Sequence, residues 1–196
     1  MQEKPATVTE RQATLPHAMP ARFLERRRRL FKRGLYLLDR RFLRRPHQYL
    51  LQATLAAATL GALVAISDLL TNAAIATAIA SSAFIIFMAP HSSLSGPRRV
   101  LGGHAIGLIV GMAAFALAQN VFTTTLGRDL TAACAVGVGM LLMAGTDTEH
   151  PPAAGTVLGL VLADDAIDPA LMIILAALAL TLARQVFKRW MIDLAH

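Results

Sequence analysis

Two stretches of the chain combine residue types that could hold a small anion: residues 89–104 and residues 149–156. In each stretch, His, Pro and Ser or Gly stand between an apolar segment and the expected start of a helix. A helix start leaves unpaired N–H groups and a partial positive charge of about half a unit, so two such starts can bind an anion without a cofactor. The candidate substrate-binding residues are His91, Ser92, Ser93, Ser95, Arg98, His104, His150, Pro151, Pro152 and Ala153.

Proline and serine mark where the two helices should begin. Pro is favoured in the first helical turn and Ser just before it can cap, so Ser95 is the expected cap of a helix that begins near Pro97. A second helix should begin near Pro151 or Pro152, directly after His150. The apolar stretch that follows, residues 152–163, is short, and transporters commonly build binding sites from short or broken helices of this kind.

Three ionisable side chains in these stretches have both a functional and a structural interpretation. His104 should lie about one and a half turns into a membrane span, where an ionisable residue is a functional candidate. Alternatively, it is a neutral imidazole bonded to a neighbouring carbonyl. His150 has stronger grounds, because it adjoins two prolines. Arg98, with Arg99, either attracts anions to an entrance or only sets the topology.

Apolar segments predict the elements that position these residues. Hydrophobic residue types make up 55% of the 196 residues, and almost everything after Tyr49 is apolar. About 20 apolar residues are needed to cross a membrane as a helix. The expected spans are about 49–66, 73–89, 98–118, 130–144 and 169–187, joined by polar connections and by the short segment 152–163. The sequence therefore predicts an all-α polytopic membrane bundle with five to six membrane segments, in a transmembrane domain over residues 47–196.

The short segment decides the expected topology. Twelve helical residues rise about 18 Å, less than the roughly 30 Å hydrocarbon core, so residues 152–163 either cross as a short segment or turn back. If they cross, the basic pairs Arg98–Arg99 and Lys188–Arg189 share one side with the basic N-terminal arm. The positive-inside rule places such residues in the cytoplasm. We therefore expect six segments, both termini cytoplasmic and an inner-membrane location.

The N-terminal region has a different composition. Residues 1–20 are polar with three prolines and predict a disordered tail. Residues 21–46 place apolar side chains on one face of a basic helix, which is expected to lie on anionic lipid of the inner leaflet or to pack on another subunit. A nucleic-acid partner is not expected, because the arm carries no recognisable binding motif. Cys134 is the only cysteine, so an intrachain disulfide is excluded.

Both candidate stretches resemble motifs of one known family. Residues 149–155, Glu-His-Pro-Pro-Ala-Ala-Gly, resemble the signature of the HPP family of integral membrane proteins, and residues 89–104 resemble its second motif. The resemblance covers about residues 50–187 and implies transport of a small anion, since plant and cyanobacterial members are linked to nitrite. Members are usually described with four spans. At Ser95-Gly96 and Arg99 this chain departs from the family pattern, where Ala-Gln and Asn are expected.

The prediction is a non-enzymatic transporter of a small inorganic anion, with nitrite as the first candidate and with no metal or cofactor. Proton coupling through the two intramembrane histidines and a homo-oligomer formed through small-residue faces are left open. The first alternative is a membrane protein that recruits partners through its basic arm. A less favoured one is an intramembrane hydrolase, for which Ser92, Ser93, His91, His104, His150 and Asp147 supply residue types but no nucleophile motif.

Overall fold

The computed structural model describes residues 40–66 and 73–194, whose regular elements are all helices. The α-helices are α1 (Arg40–Arg44), α2 (Pro46–Ile66), α3 (Ala73–Met88), α4 (Pro97–Asn120), α5 (Thr125–Thr146), α6 (Ala153–Val161) and α7 (Ile167–Phe187). Single 3₁₀ turns lie at Ser93–Ser95 and Lys188–Trp190. Helices α2, α4, α5 and α7 are long and apolar enough to cross a membrane. Helix α3 has 16 residues and α6 has nine, rises of about 24 and 14 Å.

The predicted segments are found with modest changes at their ends. The chain has a helix break before Pro46: α1 ends at Arg44, and Pro46 begins α2, where its missing N–H costs nothing. The expected loop 119–129 was too long. Thr124 caps α5 by accepting the N–H of Gly127 at 3.1 Å, which draws Arg128 and Asp129 into the helix. The expected tail, most of the basic arm and the turn at 67–72 lie outside the described residues.

One end of the bundle gathers both candidate stretches. Arg184, in the last turn of α7, donates from Nε to the carbonyl of Pro90 at 3.0 Å. Arg98, in the first turn of α4, donates to the carbonyl of Thr146, the last residue of α5, at 2.9 Å. The end of the bundle that contains residues 89–96 and 147–152 is called the motif end below.

At the opposite end lie residues 121–124 and 162–166, and it is called the acidic end. Arg128, one turn into α5, donates to the carbonyl of Ala163 at 3.2 Å. Helix α6 therefore begins at the motif end and is followed by residues that reach the far end of α5. The chain between α5 and α7 runs from one end of the bundle to the other, because short connections extend the nine-residue helix on both sides.

A ridge of glycines lets α6 lie against α4 at backbone distance. An added Cβ at Gly103 would stand 2.5 Å from the Cβ of His150, and one at Gly107 would stand 3.0 Å from the carbonyl oxygen of Ala153. Gly111 continues the ridge against α6. The spacing of four residues, predicted to allow close helix packing, is used within the chain.

Helix α6 has its own glycine ridge toward α3. Added Cβ atoms at Gly155 and Gly159 would stand 2.9 Å from Ala78 and 2.5 Å from Ile75, respectively. Six of the nine residues of α6 are buried. The short helix is thus held between α3 and α4, and this position lets polar side chains from three segments meet. By contrast, no described atom lies within 4 Å of an added Cβ at Gly61 on α2, so an oligomer formed through that small-residue face stays open.

Candidate functional site

Four buried polar side chains form a continuous chain of hydrogen bonds inside the motif end. The hydroxyl of Ser82 lies 2.9 Å from Nε2 of His104 and 3.0 Å from Nε2 of His150. Nδ1 of His104 lies 2.9 Å from the hydroxyl of Thr156. Nδ1 of His150 lies 3.1 Å from the carbonyl oxygen of Leu94. The four side chains are at most 3% exposed, so water does not compete for these bonds.

Each member of this chain comes from a different segment. Ser82 lies in the second half of α3, and His104 lies two turns into α4. His150 belongs to the turn before α6, and Thr156 follows in the first turns of α6. The two imidazole rings meet edge to face with centroids 5.1 Å apart. Their approach depends on Gly103, because any side chain there would collide with His150.

The carbonyl of Leu94 fixes the direction of the hydrogen bonds. A carbonyl only accepts, so Nδ1 of His150 carries a hydrogen and, in the neutral ring, Nε2 accepts. When the single hydroxyl hydrogen of Ser82 goes to His150, the hydroxyl oxygen accepts the Nε2 hydrogen of His104. Nδ1 of His104 is left as the acceptor of the Thr156 hydroxyl. The Ser82 hydroxyl also lies 3.0 Å from the carbonyl of Ala78, a second acceptor for its hydrogen, as is common for a serine within a helix.

The loop that carries Leu94 is held by a buried arginine. The guanidinium Nε of Arg184, 5% exposed, donates to Pro90 and lies 3.3 Å from the Ser95 hydroxyl. The Ser95 hydroxyl is within 2.8–3.1 Å of the carbonyls of Ala89, Pro90 and Ser92. Ser95 therefore holds the loop closed as a structural residue, where the sequence predicted a helix cap. The observed N-cap residue of α4 is Gly96, which has no side chain to cap with.

An exposed ion-pair cluster covers the surface of the motif end. Arg98 lies 3.2 Å from one carboxylate oxygen of Asp147, and Arg99 bonds the other. Arg99 also lies 3.5 Å from Glu149. The Arg99 hydrogen bond and charge lower the pKa of Asp147, with Arg98 adding to the effect. Asp147 is therefore ionised at neutral pH. Its ion pairs with Arg98 and Arg99 are lost only when the pH falls below the ordinary range of a carboxyl group.

The other predicted residues have local contacts in the same loops. His91 is exposed, and its Nδ1 lies 3.5 Å from Asp193, away from the two buried imidazoles. Ser92 caps the 3₁₀ turn by accepting the N–H of Leu94, and Ser93 accepts from Arg99 at 3.1 Å. Pro152 and Ala153 are buried, whereas Pro151 is exposed. A pocket of about 280 Å³, lined by Met140, Met143, Glu149, His150, Pro151 and Ala154 among others, lies beside His150.

The helix starts expected to hold an anion have amides that are already bonded. The N–H groups of Ala153, Ala154 and Gly155 donate to the carbonyls three residues earlier at 2.9–3.1 Å. Those of Arg99 and Val100 both donate to Gly96. Binding through these helix starts stays a prediction.

A family model supplies the identification that this geometry suggests. The model for the HPP transmembrane region matches residues 43–192. The chain belongs to the HPP family. The match covers all helices from α2 to α7, so both histidine-bearing segments lie within the family's transmembrane region.

Further comparisons add one relative. A transmembrane protein of Dictyostelium discoideum is 34% identical over 79 residues, which is 40% of this chain and 27% of the relative's length. The matched part of this HPP protein therefore spans about a quarter of that relative's length. No solved structure matches the chain.

Three residues of the site were missed by the sequence analysis: Ser82, Thr156 and Arg184. Thr156 ends the second candidate stretch, but it was not among the candidate substrate-binding residues. Ser82 lies in the run Ala-Ser-Ser-Ala of an apolar span, and Arg184 lies in the last turn of another. A serine in an apolar helix commonly bonds its own backbone, so its sequence gives no sign of a distant partner. An arginine near a span end normally indicates snorkelling, and the burial of Arg184 depends on the loop at Pro90. The one signal in the sequence that could have identified Arg184 is its charge within an apolar span.

Proposed function

We propose that this HPP protein transports a small monovalent inorganic anion, with nitrite as the first candidate. The observation that carries the proposal is the buried chain Thr156–His104–Ser82–His150. Polar side chains inside a membrane bundle are costly and commonly mark substrate or ion pathways. Hydroxyl and imidazole groups are neutral donors that bind an anion weakly enough for it to leave again, as transport requires.

The charges at the surface of the motif end support an anion. Arg98 and Arg99 stand over the loops that lead to His150, and Lys188 and Arg189 follow the last helix at the same end. The acidic end carries Asp164, Asp165 and Asp168. By the positive-inside rule, we propose that the motif end faces the cytoplasm and that six segments cross the inner membrane. An anion would then meet the arginines before it meets His150.

The same geometry is less suited to a hydrolase. Ser82 does face two imidazoles, but a serine nucleophile is activated by a histidine that a third group orients, commonly a carboxylate. Here a hydroxyl bonds Nδ1 of His104 and a backbone carbonyl bonds Nδ1 of His150. Ser92 and Ser93, the serines considered from the sequence, contact a loop amide and Arg99. These partners favour a binding role for the histidines.

Recruitment of partners by the basic arm remains the alternative function. It would leave the buried hydrogen-bond chain without a role. A truncation that removes residues 1–39 separates the two proposals. Transport by the bundle predicts that anion flux survives in the inserted, truncated protein, whereas recruitment predicts loss of all function with intact folding.

The direct test is anion flux into proteoliposomes that contain the purified full chain. Nitrite, nitrate, chloride and formate are compared for the wild type, His150→Ala and His150→Asn. An asparagine amide can still donate to the Leu94 carbonyl, so this second variant preserves the loop contact if alanine fails to fold. We expect saturable nitrite flux in the wild type and a loss of about tenfold or more in both variants, as for removal of a key polar group from a site.

The matched control is His47→Ala, which makes the same change at an exposed histidine near the start of α2. Its flux should equal that of the wild type. Absence of flux for all four anions, in protein shown to be folded and inserted, would contradict the transport proposal. Equal flux in wild type and His150→Asn would remove His150 from the site.

A further inference from the structure

The buried hydrogen-bond chain has capacity for one added proton. In the neutral state every ring nitrogen of His104 and His150 is engaged, and the Leu94 carbonyl sets the direction Thr156→His104→Ser82→His150→Leu94 when the Ser82 hydrogen goes to His150. A hydroxyl can reverse its role, because it is both donor and acceptor. Reversal of the Ser82 and Thr156 hydroxyls is therefore enough to accommodate a hydrogen on all but one of the four ring nitrogens.

We propose that the transported anion is accompanied by one proton, which the His104–Ser82–His150 chain takes up, so that the pair crosses without net charge. This inference rests on the proposed function and specifies its coupling. Two protonated imidazoles with centroids 5.1 Å apart would place like charges side by side in an apolar interior, so the chain holds one proton and not two. One added proton matches the charge of one monovalent anion.

The proton can enter at one imidazole and appear on the other. A proton that binds Nδ1 of His104 displaces the Thr156 hydroxyl hydrogen from that contact, and Thr156 becomes an acceptor. His104 then passes its Nε2 hydrogen to the Ser82 oxygen while Ser82 passes its own hydrogen to Nε2 of His150. His104 ends neutral with its hydrogen on Nδ1, and His150 ends as the imidazolium. One proton has been added, one positive charge results, and no hydrogen is lost.

Within residues 40–66 and 73–194, the surrounding charges provide no permanent counter-ion for this hydrogen-bond chain. Helices α3 and α6, which contribute Ser82 and Thr156, contain no ionisable residue. On α4, Arg98 and Arg99 pair with Asp147 and Glu149 of the loop before His150.

From the remaining sides, Arg184 of α7 bonds the loop of Leu94, and His91 of that loop faces Asp193. A charged imidazole therefore has no described carboxylate within its own hydrogen-bond chain, which leaves the substrate anion as its natural counter-ion. Electroneutral co-transport follows from this arrangement.

Nitrogen-15 NMR of histidine-labelled wild-type protein tests the hydrogen-bond assignment without any transport. At high pH, His150 should show the Nδ1–H tautomer and His104 the Nε2–H tautomer. Assignment comes from His150→Asn and His104→Gln, each of which removes one set of signals. Titration downward should add one proton to the pair before a second. The opposite tautomers, or two protons bound together, would overturn the inference.

Flux under two separate driving forces tests the coupling. Nitrite uptake into proteoliposomes is measured with an inward proton gradient and no potential, and then with an inside-positive potential and equal pH. Protein-free vesicles give the background from nitrous acid that crosses lipid unaided. Co-transport predicts uptake driven by the proton gradient, abolished by a protonophore and indifferent to the potential. Uptake driven by the potential alone would overturn the inference and leave the transport proposal standing, whereas no uptake overturns the transport proposal itself.

Ser82→Ala isolates the bridge between the imidazoles. It keeps both histidines and should reduce proton-driven nitrite uptake about tenfold or more, because the hydrogen cannot pass between the rings. Ser81→Ala makes the same change one residue earlier, on a partly exposed position of α3, and should leave uptake unchanged. Equal proton-driven uptake in Ser82→Ala and wild type would overturn the relay. If Ser82→Ala does not fold, His104→Gln gives the same readout.

Discussion

The two halves of this bundle differ in what fills their interior. Toward the motif end, α3, α4 and α6 place Ser82, His104 and Thr156 in one hydrogen-bond chain. Toward the acidic end, the same α4 and α6 pack aliphatic side chains against α5. These are Val110, Ala114, Ala118, Ala132, Ala135, Val157 and Val161. The proposed binding groups thus lie in one half of the bundle, and under the transport proposal the apolar half is the expected barrier that must open for an anion to pass.

This contrast arises within single helices. On α6, Thr156 bonds His104, whereas Val157 and Leu160 are completely buried among apolar neighbours. On α4, Gly103 leaves room for His150, and Gly111, two turns later, leaves room for Leu160. The halves therefore share one close-packed frame, and substitutions in each half should affect different properties of the protein.

The largest effect is expected from Gly103→Ala. The new Cβ would stand 2.5 Å from the Cβ of His150 and 3.0 Å from the carbonyl of Thr148, neither of which is a flexible chain end. We expect a loss of about 3 kcal/mol in unfolding free energy, at the upper end for overpacking, and loss of nitrite flux. Unfolding in mixed micelles with increasing SDS measures the first quantity.

Gly137→Ala is the control, because nothing lies within 4 Å of an added Cβ there. It should stabilise α5 by up to about 1 kcal/mol through helix propensity. Equal stability of both variants would mean that α4 and the turn at His150 are not in backbone contact.

Arg184→Met should have the next effect. The change removes the bonds to Pro90 and Ser95 from a buried guanidinium, and hydrogen bonds to charged groups contribute about 1.5–3 kcal/mol. Because the same loop presents Leu94 to His150, nitrite flux should fall together with stability. Arg189→Met removes an exposed arginine that stacks on Trp190, and it should preserve flux. Full flux in Arg184→Met would show that the loop held by Arg184 does not contribute to the candidate site.

Leu160→Ala addresses the apolar half. The side chain is completely buried, so truncation leaves a cavity. The cost should be about 1–2 kcal/mol, less than in a water-soluble core, because lipid tails are as apolar as leucine. Selectivity for nitrite over chloride should not change, since no polar contact is lost. Leu158→Ala, on the exposed face of α6, is the control for stability. Altered selectivity in Leu160→Ala would place part of the binding site in the apolar half.

The smallest effect is expected from Asp147→Asn. Asparagine tolerates the left-handed backbone of this position, with φ 54°, so only the charge is removed. Without the carboxylate, Arg98 and Arg99 should attract anions more strongly and lower the nitrite KM by up to about twofold at low salt, an effect that physiological salt screens. Asp129→Asn at the acidic end should leave KM unchanged. A higher KM in Asp147→Asn would show that the arginines do not serve the entrance.

Much of the frame could be predicted from local features of the sequence. Runs of apolar residues predicted helices at 49–66, 73–89, 98–118 and 169–187, and the structure has α2, α3, α4 and α7 within three residues of those limits. The loop at 119–129 was less accurate, because a Thr124 cap extends α5 through a charged turn. Hydropathy indicates which stretch of a helix is buried in lipid. The end of a helix depends instead on a single capping hydrogen bond, which hydropathy does not indicate.

The candidate site was only partly predictable. His104 and His150 stood out because ionisable residues in or beside apolar spans are unusual. Ser82 joins them across 22 and 68 positions of sequence, and Arg184 reaches Pro90 across 94. Helix packing decides which side chains meet, and the pattern of residues along the chain does not show how the helices pack.

By itself, the sequence determined the class of the protein, its long apolar helices and the two motif stretches, since composition and local propensity act within each segment. Only the tertiary structure decided that the glycines of α4 face α6, that the amides of the helix starts are bonded within their own turns, and that a serine connects the two imidazoles. The reason is physical: a buried polar group needs a partner, and the partner's identity depends on which helices can approach at backbone distance.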